Sequence, residues 1–195
     1  LYPVAVPGAR RGETRTIEED EHPRPDSSPE GLAKLKPIYD DGVVTAGNAS
    51  GINDGACALM VGTKEAGDRA GGIKPLARVI AGAVAGVEPR VMGLGPVPAT
   101  KKVLERAGLA LADMDVIEIN EAFATQVLGC LKLMDLAPDD SRINLNGGAI
   151  AIGHPLGASG ARLTLTALNQ LHRSGGRYAL VTLCVGVGQG IAAVL

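Results

Sequence analysis

A cysteine at the end of an apolar run is the strongest candidate for chemistry in this sequence. Cys184 opens the stretch Cys-Val-Gly-Val-Gly-Gln-Gly at 184–190, in which glycines alternate with other residues. A thiol titrates at about 8.5 and is shifted down by polar surroundings, so it can exchange a proton close to neutral pH. Gly186 permits unusual backbone angles and close approach of another molecule. The stretch is therefore suited to presenting a sulfur atom and backbone N–H groups to a substrate.

Two further tracts place polar side chains in turns. His154 lies in a glycine-rich tract at 146–162, just before a predicted helix, and its imidazole, with a pKa of about 6.5 and two distinct nitrogens, is the partner that such a thiol would need. A histidine that only bonds backbone groups at the start of a helix fits the sequence equally well. Asn120 begins the tract Asn-Glu-Ala-Phe-Ala at 120–124, where its side chain fits a helix N-cap. That interpretation leaves one of its side-chain groups free for another partner.

The remaining cysteines and histidines lack such surroundings. Cys57 lies in a run of small residues and Cys130 on an apolar helix, so both are expected to be buried as small hydrophobic residues. Three widely spaced cysteines without a Cys-x-x-Cys pair predict neither a disulfide framework nor a structural zinc site. His22 and His172 are expected to be exposed.

The elements that must position these residues follow from the hydrophobic pattern. Segment 115–120 alternates polar and apolar residues, and 177–184 is a short apolar run, so both predict strands. Each strand ends at a candidate residue, Asn120 or Cys184.

Helical spacing of apolar residues separates these strands. One helix is predicted after Pro96 with a stop at Gly108, and another carries a stripe that starts at Ala161 and ends at the glycines of 174–176. The stretch 122–134 is apolar almost all round, which predicts a helix enclosed by protein at the centre of the molecule.

The chain changes character near residue 41. Residues 1–40 carry six of the twelve prolines and few apolar residues, a poor composition for an independent core. From Val43 onward strand-like and helix-like stretches alternate, which favours a layered α/β domain. With a net charge of −2 nothing favours nucleic acid or an anionic membrane as a partner. The absence of a long apolar stretch and of a signal-peptide pattern predicts a cytoplasmic protein.

Six collinear segments resemble the C-terminal half of the thiolases, enzymes that make or break the carbon–carbon bond of 3-oxoacyl-CoA thioesters. They lie at 20–24, 45–55, 93–100, 120–124, 146–162 and 184–190. The opening Asp-Glu-His-Pro-Arg and the ending Val-Gly-Gln-Gly-Ile-Ala look most like the 3-oxoadipyl-CoA thiolases of aromatic-compound degradation. A complete thiolase is about twice as long, and its nucleophilic cysteine lies in the first half.

The resemblance implies a fold and a division of the chain. Residues 41–195 would form a layered α-β-α catalytic domain, half of the five-layer α-β-α-β-α thiolase fold. Residues 1–40 would be part of the loop domain that covers the substrate.

The resemblance also implies a role for each candidate. Cys184 would be the acid/base that deprotonates acetyl-CoA or protonates the departing enolate, and His154 would activate the nucleophile and donate to a thioester oxygen. Asn120 would hold a water in the same oxyanion hole, and the N–H of Gly186 would bind the acyl-enzyme oxygen. Val187 stands where most thiolases have glycine; either its backbone angles are ordinary or the loop is shaped for a subgroup.

Substrate contacts are implied more weakly. The turn from Ala46 to Ser50 would border the pantetheine arm of CoA, with Tyr39 near the same arm and Phe123 among the substrate-binding residues. The same turn is also an ordinary glycine-containing loop. Neither the Walker lysine nor a dinucleotide fingerprint is present, so nucleotide hydrolysis and NAD binding are disfavoured.

The partners implied are a CoA thioester, the N-terminal thiolase half that carries the nucleophile, and further copies in a dimer or tetramer; no metal or redox cofactor is expected. An alternative is a non-catalytic CoA-binding or assembly module, since the nucleophile is missing and an isolated half would expose apolar surface. A condensing enzyme of fatty-acid or polyketide type is disfavoured, because such enzymes use two histidines where this chain offers His154 and Cys184.

Overall fold

The computed structural model describes residues 2–195, and the regular elements are short in the first eighty residues. The strands are β1 (Val4–Pro7), β2 (Thr14–Ile17), β3 (Ala81–Gly86), β4 (Val116–Ile119), β5 (Ala179–Val185) and β6 (Gln189–Val194). The helices are α1 (Pro29–Leu32), α2 (Lys64–Arg69), α3 (Pro96–Ala107), α4 (Ala124–Leu133), α5 (Ala149–Ile152) and α6 (Leu156–Ser174).

A four-stranded mixed sheet forms the middle layer. Its order is β3-β6-β5-β4; β4 and β5 are parallel, and the other pairs are antiparallel. Ile119 lies opposite Thr182 in the parallel pair, so the chain leaves both strands at the same edge of the sheet. The two predicted strands are confirmed, with Asn120 directly after β4 and Cys184 one residue before the end of β5.

Helices cover both faces of this sheet. On one face α3 and α4 bury an apolar cluster that includes Val103 and Leu180, and on the other face α6 buries a cluster that includes Leu163 and Val181. Successive residues of a strand point to opposite faces, so a strand covered on both sides is apolar along its whole length. The predicted layered α-β-α arrangement is therefore confirmed.

The two longest helices end where the sequence predicts. Gly108 follows α3 with a φ of 67°, and Gly175 follows α6 with a φ of 68°. Glycine adopts this left-handed conformation without the steric penalty of a Cβ atom, which is why it ends so many helices.

Helix α4 corrects one prediction. Its inner side is buried at Val127, Cys130 and Leu131, but Leu128 is 50% exposed and Leu133 is 59% exposed. The expectation of a helix enclosed on all sides is therefore wrong for residues 2–195. Apolar composition all round a helix does not reveal on its own which surface the chain itself covers.

The region between the β1–β2 hairpin and β3 has less regular structure than predicted. From 41 to 80 it contains α2 and isolated bridges, such as the one between Ile52 and His154, where alternating strands and helices were expected. Cys57 in this region is only half-buried, contrary to its predicted place in the core, whereas Cys130 is fully buried as predicted. None of the helices in residues 2–195 combines the length and apolarity that a membrane span requires.

The two remaining histidines, His172 and His22, differ in exposure. His172 is exposed, as predicted, and its Nε2 lies 2.8 Å from the carbonyl oxygen of Leu76. His22 was also predicted to be exposed, but it is half-buried, with both ring nitrogens in hydrogen bonds to residues more than thirty positions away. Sequence composition around His22 could not show these distant partners.

Candidate functional site

Asn120 and His154 are in direct contact at the edge of the sheet. The side-chain nitrogen Nδ2 of Asn120 lies 3.3 Å from Nε2 of His154. Asn120 is fully buried, and its backbone N–H donates to the carbonyl of Thr182 at 3.0 Å. Its Oδ1 is buried and has no hydrogen-bond partner among residues 2–195. A buried polar atom of this kind normally bonds a water or a ligand, so this oxygen marks a place for one.

The N-cap interpretation of Asn120 is wrong. Helix α4 begins at Ala124, and its N-cap residue is Phe123, three positions after Asn120. The side chain of Asn120 therefore does not cap the helix. Its backbone N–H bonds Thr182, and its side-chain amide bonds His154.

The ring of His154 is oriented by a serine. Its Nδ1 lies 2.6 Å from Oγ of Ser159, and that hydroxyl donates to the carbonyl of Pro155 at 3.1 Å. The single hydroxyl proton is thus committed, so Nδ1 carries a proton and donates to Ser159. Nε2 is left with a lone pair and accepts from Asn120. Burial lowers the pKa of His154, and the charge of Arg162 lowers it further, so the neutral imidazole with a basic Nε2 is favoured.

The backbone of His154 is anchored separately from its ring. Its N–H donates to the carbonyl of Gly51 and to Oδ1 of Asn53, both at 3.1 Å, and Ile52 forms an isolated bridge with it. Helix α6 starts two residues later at Leu156. The imidazole bonds side chains, so the alternative of a histidine whose ring bonds backbone groups is wrong.

A carboxylate joins the turn after β4 to the turn before α6. Glu121 accepts from Nδ2 of Asn144 at 2.8 Å and from the N–H of Ile150 at 3.2 Å. Asn144 also pairs through its amide with both backbone groups of Ile119 at 2.9 Å, which closes the edge of β4. Sequence analysis missed both residues. The available signal was their position, because each is a polar residue in or beside one of the recognised tracts.

Cys184 lies at the same edge of the sheet but makes no hydrogen bond with Asn120 or His154 among the contacts of residues 2–195. It pairs with Gly190 in the β5–β6 ladder and is 8% exposed. Burial raises the pKa of this thiol. The expectation that polar surroundings lower it is therefore wrong for the chain as described.

The surroundings of Cys184 explain that direction. It shares the strand face of Leu180, which belongs to the apolar cluster under α3 and α4. Cys130 of α4 is close: burial raises the pKa of Cys130 to about 11, with Cys184 among the lesser causes. An apolar environment favours the neutral thiol because it solvates a thiolate poorly.

The tip of the β5–β6 hairpin carries Gly186 and Val187. A Cβ added at Gly186 would meet no atom within 4 Å, so the space beside its backbone is open. Val187 is 83% exposed and has a φ of 66°. The alternative of ordinary backbone angles at Val187 is therefore wrong. A β-branched residue in this region is strained, so the loop holds an unusual conformation.

Three of the four predicted substrate-binding residues lie together. The N–H of Ser50 donates to the carbonyl of Ala122 at 2.9 Å, and Ala49 forms a bridge with Phe123. The turn that starts at Ala46 is thus fastened to the residues that follow Asn120. Tyr39 lies apart on a preceding loop and is 75% exposed.

A buried acid, Glu118, and a half-buried arginine, Arg162, lie behind the site. Glu118 is fully buried, and burial raises its pKa to about 7, an effect that the nearby Arg162 opposes. Neither carboxylate oxygen has a hydrogen-bond partner, and the same holds for the three guanidinium nitrogens. Sequence analysis did not identify this pair. No group of three or more metal-binding side chains occurs within residues 2–195.

Two family models match the chain. The one described as "Thiolase, C-terminal domain" matches residues 73–195, and the one described as "Thiolase, N-terminal domain" matches residues 1–65.

Curated relatives match over the whole chain. The 3-oxoadipyl-CoA/3-oxo-5,6-dehydrosuberyl-CoA thiolase of Escherichia coli is 59% identical, and the beta-ketoadipyl-CoA thiolase of Acinetobacter baylyi is 57% identical; each match covers 100% of this chain and 48% of the relative. The chain therefore spans about half the length of the curated relatives it matches.

Solved structures agree with the fold. The acetyl-CoA acetyltransferase of Bacillus anthracis is 44% identical with a TM-score of 0.93, covering 100% of this chain and 48% of that one. Human mitochondrial 3-ketoacyl-CoA thiolase in complex with CoA is 47% identical with a TM-score of 0.84, covering 92% of this chain and 45% of that one.

Proposed function

Because this chain belongs to the thiolase family, we propose that it supplies the C-terminal half of an active site that transfers acyl groups between 3-oxoacyl-CoA and acetyl-CoA. The observation that carries the proposal is the contact between Asn120 and His154, with the unpartnered Oδ1 of Asn120 beside it. A water held by this acceptor can donate to a developing thioester oxyanion, and so can Nε2 of His154 once it has taken a proton.

His154 and Asn120 act on the thioester oxygen and on the nucleophile in this proposal. The orphaned Oδ1 of Asn120 fixes a water, and the water donates to the oxyanion. Neutral His154 takes the proton of the nucleophilic thiol at Nε2. The protonated Nε2 then donates a hydrogen bond to the substrate oxygen. Ser159 holds the ring in the tautomer that leaves Nε2 basic.

Cys184 handles the substrate proton. In cleavage, the nucleophile of the N-terminal half attacks the 3-oxo carbonyl carbon, the bond between C2 and C3 breaks, and the Cys184 thiol protonates the departing acetyl-CoA enolate. The acyl group then passes from the nucleophile to the sulfur of a second CoA. Burial favours the protonated thiol of Cys184, which is the form that this cleavage step requires. The N–H of Gly186, with open space beside it, binds the acyl-enzyme oxygen.

CoA binds along the turn at Ala46 to Ser50 and the start of α4. The hydrogen bond from Ser50 to Ala122 brings the turn that carries the Ser50 hydroxyl next to the residues that follow Asn120. A pantetheine arm bound along this turn would therefore end at the site. Tyr39, which is exposed on its loop, contacts the same arm in this proposal. Residues 1–40 belong, in this proposal, to the domain that covers the substrate, and residues 41–195 to the catalytic domain.

For the acyl group we propose 3-oxoadipyl-CoA, in line with the names of the relatives at 57–59% identity. The partners are the N-terminal thiolase half that carries the nucleophile and further copies of the complete enzyme in a dimer or tetramer. No metal or redox cofactor takes part in the scheme.

A non-catalytic CoA-binding or assembly module is the second candidate. It is favoured by apolar side chains that the chain leaves uncovered, with Ile52 and Met60 each 92% exposed and Leu156 67% exposed. Surface of this kind marks an interaction face. These side chains would also contact an N-terminal half. The thiolase half and the non-catalytic module are therefore distinguished by activity and not by whether they bind another chain.

The test combines composition and kinetics. The protein is purified with any chain that accompanies it, its components are weighed by intact mass spectrometry, and CoA-dependent cleavage of 3-oxoadipyl-CoA is assayed. Cys184→Ala should lower kcat by about 100-fold or more, the scale of a lost general acid/base. Cys57→Ser serves as the matched control, since Cys57 makes no hydrogen bond with Asn120, His154 or Cys184 among the contacts of residues 2–195. Cleavage that survives in Cys184→Ala, or an inactive protein that still binds CoA, would support the module.

A further inference from the structure

The backbone of His154 is held by a side chain that no role in the proposed mechanism uses. Oδ1 of Asn53 accepts the N–H of His154 at 3.1 Å, across 101 residues of sequence. Gly153, directly before the histidine, has a φ of 92°, and a Cβ there would overlap the Asn53 amide. The turn and Asn53 are therefore packed against each other as closely as their atoms permit.

Asn53 is held in turn by a histidine from the segment before it. Its Nδ2 lies 3.3 Å from Nδ1 of His22, and Nε2 of His22 lies 3.2 Å from the carbonyl oxygen of Ile150. A Cβ on Gly51 would come within 2.5 Å of Cε1 of His22, so this contact is also close-packed. His22 thus bridges Asn53 and α5, the helix that leads into the His154 turn.

Donor and acceptor roles along this chain of contacts are mutually determined. Oδ1 of Asn53 must accept, because its partner is a backbone N–H, so Nδ2 must donate and Nδ1 of His22 must accept. Nε2 of His22 then carries the proton, which it donates to Ile150. Turning the Asn53 amide over would set its Nδ2 donor against the N–H of His154, and turning the His22 ring over would replace both of its nitrogens with carbons at these contacts.

We propose that Asn53 and His22 are positioning residues for His154, and that through them the segment before residue 40 sets the place of the imidazole relative to Asn120. Neither residue reaches the reacting atoms in the proposed mechanism. They act by fixing the backbone at 150–154, from which the ring of His154 extends to its 3.3 Å contact with Asn120. The catalytic consequence rests on the proposed function, whereas the structural coupling does not.

Kinetics are sensitive to this kind of positioning. A displacement of a catalytic group by about 1 Å costs about 100-fold in rate. Loss of one anchoring hydrogen bond leaves the carbonyl of Gly51 as the second acceptor for the His154 N–H, so a smaller loss, about tenfold in kcat, is expected for either variant. The KM for the CoA thioester should stay within about twofold, because neither residue touches the turn at 46–50.

The first experiment is independent of activity. Amide hydrogen exchange of the His154 N–H is measured by NMR in the purified protein and in Asn53→Ala and Asn53→Asp variants. Exchange should be about fivefold faster in Asn53→Ala and less accelerated in Asn53→Asp, which keeps the acceptor for the His154 N–H but loses the donor to Nδ1 of His22. The N–H of Leu180 in β5 serves as the internal reference for global unfolding. Unchanged exchange at His154 in Asn53→Ala, or equal acceleration at Leu180, would overturn the proposal.

The second experiment tests the coupling in the active enzyme. Asn53→Ala, His22→Ala and the double variant are compared in kcat and KM, with His172→Ala as the control, since His172 makes a single contact with Leu76 away from the site. The double variant should be no slower than the slower single variant, because the two residues form one chain of contacts. If the losses in kcat of the two single variants multiply in the double variant, or if only KM changes, the positioning role of Asn53 and His22 is contradicted. An unmutated enzyme without thiolase activity would refute the proposed function and leave the exchange result standing.

Discussion

Asn120 and His154 lie 34 residues apart in sequence, and their side chains meet with Nδ2 of one 3.3 Å from Nε2 of the other. The meeting depends on Glu121, whose carboxylate accepts from Asn144 and from the N–H of Ile150 and so ties the turn after β4 to α5. Glu121 is half-buried, and hydrogen bonds to an ionised carboxylate are stronger than neutral ones, so this tie holds the two turns together.

Replacing Asn120 with alanine should lower kcat/KM of the complete enzyme by about 100-fold, because it removes both the partner of Nε2 and the oxygen that holds a water. Steady-state kinetics with 3-oxoadipyl-CoA and CoA measure the effect. Asn146→Ala is the matched control, since that amide bonds Gln170 and Arg173 on the surface. A loss of less than about threefold in Asn120→Ala would exclude Asn120 from the oxyanion site.

The pH profile should report the depressed pKa of His154. Burial is the main cause of the depression and the charge of Arg162 is the second. A base works in its neutral form, so kcat/KM should fall only as the pH drops below the ordinary histidine value of about 6.5. Arg162→Gln should move this acid limb toward higher pH. An acid limb at or above pH 6.5 in the unmodified enzyme would show that another group, or a more exposed histidine, controls the rate.

The same depression links His154 to stability. The folded state disfavours the protonated ring, so its contribution to stability is present above the ordinary pKa and is lost as the pH falls through the depressed value. Chemical denaturation below pH 6.5 should accordingly show a loss of stability that His154→Gln reduces.

The contribution of Glu118 to stability should depend on pH with the opposite sign to that of His154. Its pKa is raised by burial from 4.5 to about 7, so the folded state favours the protonated acid. The stability that it contributes is present below pH 4.5 and is lost as the pH rises through 7, a change of about 3 kcal/mol. Glu118→Gln should remove this slope in urea titrations between pH 4.5 and 8. Glu105→Gln on the exposed side of α3 is the control, and an equal slope in both variants would argue against the assignment.

Val187 should be a stabilising position for glycine. Its φ of 66° is the left-handed region, where an L side chain costs about 1–2 kcal/mol, and part of this is offset by the flexibility that glycine gives the unfolded chain. Val187→Gly should therefore raise the free energy of unfolding by about 0.5–1 kcal/mol, measured as a shift of the urea midpoint. Val185→Gly, within β5, should instead destabilise. If both variants are destabilised, the contacts of the Val187 side chain stabilise the folded state by more than its backbone strain costs.

The prediction from sequence was most successful where one local rule decided the outcome. The alternating segment that became β4, the apolar run that became β5 and the glycines that end α3 and α6 depend on periodicity and on backbone angles alone. It failed where distant partners decide exposure. His22 and Asn53 lie in tracts that the sequence singles out, but only their packing against the His154 turn reveals what each residue does there.

The sequence by itself determined the family, the layered α/β fold and the tracts from which the candidate residues come, because residue type, spacing and period are properties of a linear string. Only the tertiary structure decided which of those residues are in contact and what surrounds each of them. It made Asn120 the partner of His154 and not a helix cap, because α4 begins three residues later. It also set the thiol of Cys184 against an apolar cluster, where burial raises its pKa, since protonation depends on what surrounds a group in space.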